Sequence, residues 1–210
     1  MTATIFLTML MAVWSPEEAV RTYVTEVYPW PDVSVNAVNP AAEYPEMPPV
    51  EVSFYKGSIP GRAVFTMRFS AGETYYYETD VEARDWVVFN KRPLKKGTIL
   101  TYEDITKSLY SVRRIPSGAI TDEALCIGKM VNHTIPANRP LTVALVETAP
   151  VVIKGREVVM TVKGDEYKIT MRGIAKDDGT AGQYIRVVNP KSKKIIFGKV
   201  IDSRTVIVDN

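Results

Sequence analysis

The sequence predicts a mainly β fold with a short α+β start, on three observations. Fourteen prolines and twelve glycines punctuate 210 residues, which favours short extended pieces joined by turns over long helices. Between them Val, Ile and Tyr are abundant, the residue types that suit a pleated, half-buried surface. Sustained helical spacing of apolar residues is confined to one segment near the N-terminus.

The first element is an apolar run from Ala3 to Trp14. It has the length of a signal-peptide hydrophobic region and is too short for a membrane span. Residues 1–14 are therefore expected to be an export signal, the alternative being a hydrophobic first helix packed into the fold. No Lys or Arg precedes the run, which a start codon assigned too late would explain, and both Leu10-Met11-Ala12 and Val13-Trp14-Ser15 are passable cleavage sites. Next, Ser15-Pro16-Glu17-Glu18 is a helix start, with Ser at the N-cap, Pro in the first turn and Glu three residues on. Ala19, Val20, Tyr23, Val24 and Val27 then share one face, and Pro29 and Pro31 end the helix.

Strands follow. Val33, Val35 and Ala37 alternate, Pro40 to Pro49 is a proline-broken loop, and Val50–Tyr55 and Ala63–Phe69 are predicted strands. After the turn Ser70-Ala71-Gly72-Glu73 comes one long extended run, Thr74 to Asn90. Its Tyr75-Tyr76-Tyr77 cluster puts rings on both faces, so packing plus one exposed ring accounts for it. Between Ser111 and Ala124 lie Arg113, Arg114, Pro116 and Gly118, expected as a solvated loop, the alternative being an anion held by the arginines beside Pro and Gly, and Glu103-Asp104 is expected to cap a short helix near Ile105.

The C-terminal part begins near Val151. Val158–Val162 and Tyr167–Met171 are expected to form a hairpin across Lys163-Gly164-Asp165-Glu166. Asp177 and Asp178 are turn formers, since a calcium loop needs several more spaced oxygen ligands. Tyr184 to Val188 alternates, and Asn189-Pro190 opens a wet turn in which the Asn side chain can bond its own backbone two residues on. Gly182 and Gly198 sit where a side chain would obstruct a tight turn or a crossing strand. The unit is expected to be a small antiparallel sheet.

The totals exclude several function classes. With 26 basic against 24 acidic residues there is no strong field for nucleic acid or acidic lipid. His133 is the only histidine and Cys126 the only cysteine, so no zinc cluster, no His-paired triad and no intrachain disulfide is available. Cys126, between Leu125 and Ile127, is expected as a small buried hydrophobe. Ser53-Phe54-Tyr55-Lys56 satisfies S-x-x-K by letter, but it lies in an alternating strand and lacks the S-D-N and K-T-G partners that chemistry requires. No phosphate-binding glycine loop occurs. No catalytic residue, metal or cofactor is expected.

The order Gly173-x-Ala175, Gly179, Gly182, Ile185-x-Val187-x-Asn189, Ser192-x-Lys194, Gly198-x-Val200 and a final Val206-x-Val208 resembles the C-terminal signature of the flagellar basal-body P-ring formation family, FlgA. Upstream, Asn90 to Ile105 and Ile127 to Leu141 resemble the two halves of a SAF domain, a small β-clip module. Asn138 stands there where the pattern usually has Gly, and Asn is the best substitute in the left-handed region. The turn at Ser203-Arg204 is another departure from the family's usual Gly. The resemblance implies an export signal at 1–14, an N-terminal helix plus small sheet at 15–84, a central SAF/β-clip module at 85–147 and a C-terminal antiparallel β module at 148–210. It also implies a periplasmic chaperone assisting P-ring assembly around the rod by transient binding of the P-ring subunit, with no nucleic acid and no stable membrane insertion once the signal is removed. The alternative is a SAF-domain carbohydrate-binding or pilus-assembly protein whose Tyr-rich surface stacks on sugar rings. Partner contacts are expected at Tyr76, at Arg113, Arg114 and Pro116, and at Lys191 and Lys193, because loops and exposed aromatics carry contacts. On this reading the Gly173 to Val208 stretch identifies the family without being its working surface.

Overall fold

In a computed structural model of the chain, residues 4–6, 14–38, 43–163 and 168–208 are described. They form two compact units. One runs up to Pro93 and includes Tyr102–Leu125 and Pro136–Val143; the other comprises Leu94–Thr101, Cys126–Ile135 and the chain from Ala144 onward. The chain thus changes unit repeatedly between residues 93 and 144.

In the first unit helix α1 spans Pro16–Val27, and the Ser15 hydroxyl accepts the Glu18 N–H at 3.2 Å. Ala19, Val20, Tyr23 and Val24 are buried, the face the 3.6-residue period assigns. That face packs on a sheet built from β1 (Thr4–Phe6), β2 (Asp32–Ala37), β3 (Glu51–Gly57), β4 (Gly61–Arg68), β5 (Thr74–Asn90) and β6 (Ile105–Ser111), in the order β1-β3-β4-β5-β2 with β6 also on β5. Along β5, Tyr77, Thr79, Val81 and Ala83 point into the core while Glu78, Glu82 and Arg84 point out. Val52, Phe65 and Met67 are fully buried opposite the helix, each contributing about 1.5–3 kcal/mol of burial free energy. Within the expected export signal, Thr4–Phe6 pair with β3, and the Trp14 ring packs tilted against Phe69 at 5.7 Å; the remainder of 1–13 lies outside the described residues. Residues 39–42 of the proline-broken loop lie outside them too.

Beyond Val81, strand β5 continues against β6. This overturns the short helix expected near Ile105. Ile105 pairs with Asn90 as the first residue of β6, and the Asp104 carboxylate, instead of capping a helix, takes the Arg92 guanidinium at 2.6 Å. The Ser111 to Ala124 segment is likewise not wholly irregular, with 3₁₀ turns at Val112–Arg114 and Glu123–Leu125.

In the second unit, Leu94 and Ile135 exchange backbone hydrogen bonds at 2.9 and 2.8 Å, Val131 donates to Thr98 at 2.9 Å, and Leu100 donates to Lys129 at 2.8 Å. Strands β7 (Lys129–Val131) and β8 (Val146–Thr148) pair beside them. The C-terminal strands are β9 (Glu157–Lys163), β10 (Lys168–Ala175), β11 (Tyr184–Val188), β12 (Ile195–Val200) and β13 (Thr205–Val208). β9 and β10 form the expected antiparallel pair, their connection at 164–167 lying outside the described residues. The module differs from a plain antiparallel sheet in one respect: β13 returns parallel to β9 and closes a five-stranded barrel. Closure removes both free edges and encloses Val158, Met160, Ile185, Val187, Val200 and Val206. Gly198 makes the closure possible. A Cβ there would stand 2.4 Å from Val206 Cγ1 and 2.9 Å from the Ile207 carbonyl oxygen.

Candidate partner-binding surface

The six residues expected to contact a partner fall in three places. Tyr76 is on the outward face of β5, 61% exposed, with its ring edge-on to Tyr55 at 5.2 Å. Outward Tyr76 between inward Tyr75 and Tyr77 is what strand alternation demands, and Tyr77 is held by a 2.7 Å hydrogen bond from its hydroxyl to Glu17. Burial and then the Glu17 carboxylate push the Tyr77 hydroxyl far above its ordinary pKa. Burial opposes the charged form of Glu17, yet the Tyr77 hydroxyl and the backbone and Ser15 hydrogen bonds outweigh it and hold that carboxyl below its usual range.

Arg113 and Arg114 lie in the 3₁₀ turn that follows β6 and Pro116 just beyond it; both arginines are exposed, and among the described residues neither makes an ion pair. The structure adds two residues from other elements that spacing did not bring to notice. Arg84 of β5 lines a concavity of about 640 Å³ with Arg113 and Arg114, and Arg62 of β4 lines an adjoining one of about 730 Å³ with Arg113. Arg84 reaches Asp32 at 3.7 Å, a long and exposed pair worth little in stability.

Lys191 and Lys193 sit in the turn between β11 and β12. The Asn189 side chain accepts the Lys191 and Ser192 N–H groups at 2.9 and 3.2 Å, the self-bonding expected of an Asn-Pro turn. Lys191 lines a shallow groove of about 490 Å³ with Met171, Arg172 and Pro190. Asp177, expected as a turn former, also carries an ion pair. It takes Arg186 in a bidentate grip at 2.9 and 2.6 Å, and those side-chain hydrogen bonds draw its pKa down to about 2. Asp202 shapes the final turn by accepting the Arg204 and Thr205 N–H groups at 2.8 and 2.9 Å, so Ser203-Arg204 needs no glycine.

Tyr184, Ile195 and Phe197, on the outer face of the barrel, are each more than half exposed. Their signal was present in the sequence, since outward positions of alternating strands are normally polar. The remaining chemistry-bearing residues are structural where they lie. Cys126 is buried, His133 bonds Asn132 at 2.8 Å, and Ser53 of β3 bonds Thr66 at 2.6 Å. Among the described residues no group of three or more His, Cys, Asp or Glu could hold a metal, and no helix is long and apolar enough to cross a membrane.

A helix-backed sheet, interlocked strand pairs and a small closed barrel, with exposed arginine and aromatic surfaces, define a mainly β protein of the architecture found in flagellar FlgA proteins. Over 92% of this chain and 93% of the other, the fold matches Salmonella FlgA in its open form with a TM-score of 0.61 at 18% identity. Over 91% of this chain and 70% of the other, it matches FlgA of Thermotoga maritima with a TM-score of 0.60 at 21% identity. In sequence the chain is 24% identical over 133 residues to the flagella basal body P-ring formation protein FlgA of Buchnera aphidicola subsp. Schizaphis graminum. That match spans 63% of this chain and 60% of the relative's length. Residues 85–208 match the family model described as a chaperone for flagella basal body P-ring formation, and the chain belongs to that family.

Proposed function

We propose that this chain is a periplasmic chaperone that binds the flagellar P-ring subunit transiently and keeps its assembly surface covered until the ring closes around the rod. The observation that carries the reading is the family match over residues 85–208, which includes the arginine turn and the whole barrel. Near-neutral net charge and exposed apolar positions such as Phe197 suit recognition of a protein better than of nucleic acid. Reading 85–147 as a SAF-like module is supported by the reciprocal backbone pairing of its two halves, Leu94 with Ile135 and Thr98 with Val131. Asn138, at φ 59°, takes the left-handed conformation that the pattern's glycine would supply.

The test is genetic and biochemical together. Deleting the gene from its flagellated host should abolish swimming and leave basal bodies without P-rings, and affinity-tagged protein should recover the P-ring subunit from periplasmic extract. Normal P-rings in the deletion strain would refute the proposal.

A further inference from the structure

The outward face of the first unit's sheet contains a break that the alternation of the strands does not explain. β4 ends its pairing with β5 at Val81, and β6 takes up the same side of β5 only at Arg84. Glu82 and Ala83 therefore have a strand partner on the β2 side alone. The two concavities described above adjoin at this break and share Arg113. Gly57 shapes its rim: it has φ +115°, and a Cβ there would meet the Arg62 carbonyl oxygen at 2.4 Å.

The charges in the break are uncompensated in a specific way. Among the described residues Arg62, Arg113 and Arg114 make no ion pair, although Arg62 stands directly across the strands from Asp80. Among the described residues Asp80 Oδ1 is buried and has no hydrogen-bond partner, an unfavourable state for a polar atom. A site with surplus guanidinium donors beside an orphan acceptor calls for a ligand that brings both a carboxylate and an N–H. A phosphate or nucleic acid would satisfy the arginines but would meet Asp80 and Glu82 with like charge. An extended polypeptide bearing Asp or Glu supplies both groups, and guanidinium forks match carboxylates bidentately.

We propose that the break in the outer sheet face, bounded by Arg62, Asp80, Arg84, Arg113 and Arg114, is a docking groove for an extended acidic segment of the partner polypeptide. The inference rests on the chaperone reading for the identity of that partner, the P-ring subunit. The carboxylate seats on Arg113 and Arg114, and a donor of the segment satisfies Asp80.

The experiment measures binding of purified P-ring subunit from the same organism to the full chain, in low and high salt. The R113E/R114E variant should bind at least tenfold more weakly than wild type, R113K/R114K should recover only part of the loss because an ammonium keeps the charge without the fork, and K95E/K96E, at two exposed lysines outside the groove, should bind as wild type. Raising salt should weaken wild-type binding and leave the R113E/R114E residual nearly unchanged. Both arginines are exposed, so far-UV circular dichroism and Tm should match wild type in every variant. Wild-type binding with R113E/R114E unaffected would overturn the groove and leave the chaperone reading standing. Absence of binding by wild type would overturn the chaperone reading and the groove with it.

Discussion

Replacing Asn90 by alanine tests the argument about how the long strand is anchored. Asn90 is fully buried at the end of β5, and its side chain serves three backbone groups at once. Its Nδ2 donates to the carbonyls of Arg92 at 2.8 Å and Pro136 at 2.7 Å, and its Oδ1 accepts the Arg139 N–H at 2.8 Å. Alanine deletes all three hydrogen bonds. At about 1 kcal/mol net for each, the expected loss is about 3 kcal/mol. With a urea m-value of about 2 kcal/mol/M, that moves the unfolding midpoint down by about 1.5 M. The assay is urea unfolding followed by tryptophan fluorescence, which reports this unit because Trp14, Trp30 and Trp86 all lie in it. Asn90→Asp should do no better than alanine, since a carboxylate keeps the bond from Arg139 but faces two carbonyl oxygens. A midpoint within about 0.3 M of wild type for Asn90→Ala, or wild-type stability for Asn90→Asp, would refute the reasoning.

Three further outcomes are expected. Gly198→Ala forces a Cβ to within 2.4 Å of Val206 and 2.9 Å of backbone, so it should cost about 1–3 kcal/mol, read by hydrogen exchange as lost amide protection in β12 and β13 with β5 unchanged. Tyr77→Phe removes a hydrogen bond to a carboxylate and should cost about 1.5 kcal/mol in thermal or urea unfolding; Tyr77→Ala should cost more through lost packing. Asp177 has a folded pKa of about 2 against an ordinary 3.8, so its contribution is complete above pH 3.8 and is lost as pH falls toward 2. Asp177→Asn should therefore flatten the stability profile of the barrel between those values and change nothing in its slope near pH 7.

Much of the fold was legible because it rests on local rules. Ser15 and Pro16 start the helix, and the spacing of Ala19, Val20, Tyr23 and Val24 names its buried face. The Asn189-Pro190 turn closes on its own side chain, a contact that spans three residues or fewer. The helix expected near Ile105 failed for the opposite reason. Asp104 has capping chemistry, but Ile105 finds a ladder partner in Asn90 and Asp104 an ion pair in Arg92, so tertiary pairing overrode a local preference. Barrel closure was out of reach as well, because β13 meets β9 across some forty-five residues and alternation carries no information on parallel return.

The arginine surface shows why a binding site is harder to read than a fold. Arg113 and Arg114 are adjacent in sequence and could be named as a pair, yet nothing in their spacing brings Arg62, Asp80 or Arg84 to them. What does so is a property of β5 alone: seventeen residues are long enough to carry two partner strands end to end on one side. The interval between those partners is set by where β4 starts and β6 stops. Gly57 and Gly61 fix the first through backbone conformations that side chains rarely adopt, and the 3₁₀ turn at Val112 fixes the second. Closing the gap would take two more pairs on that side of β5, at Glu82 and Ala83. The charge pattern and the break therefore depend on one another, and the groove follows from strand length and two turns more than from any motif.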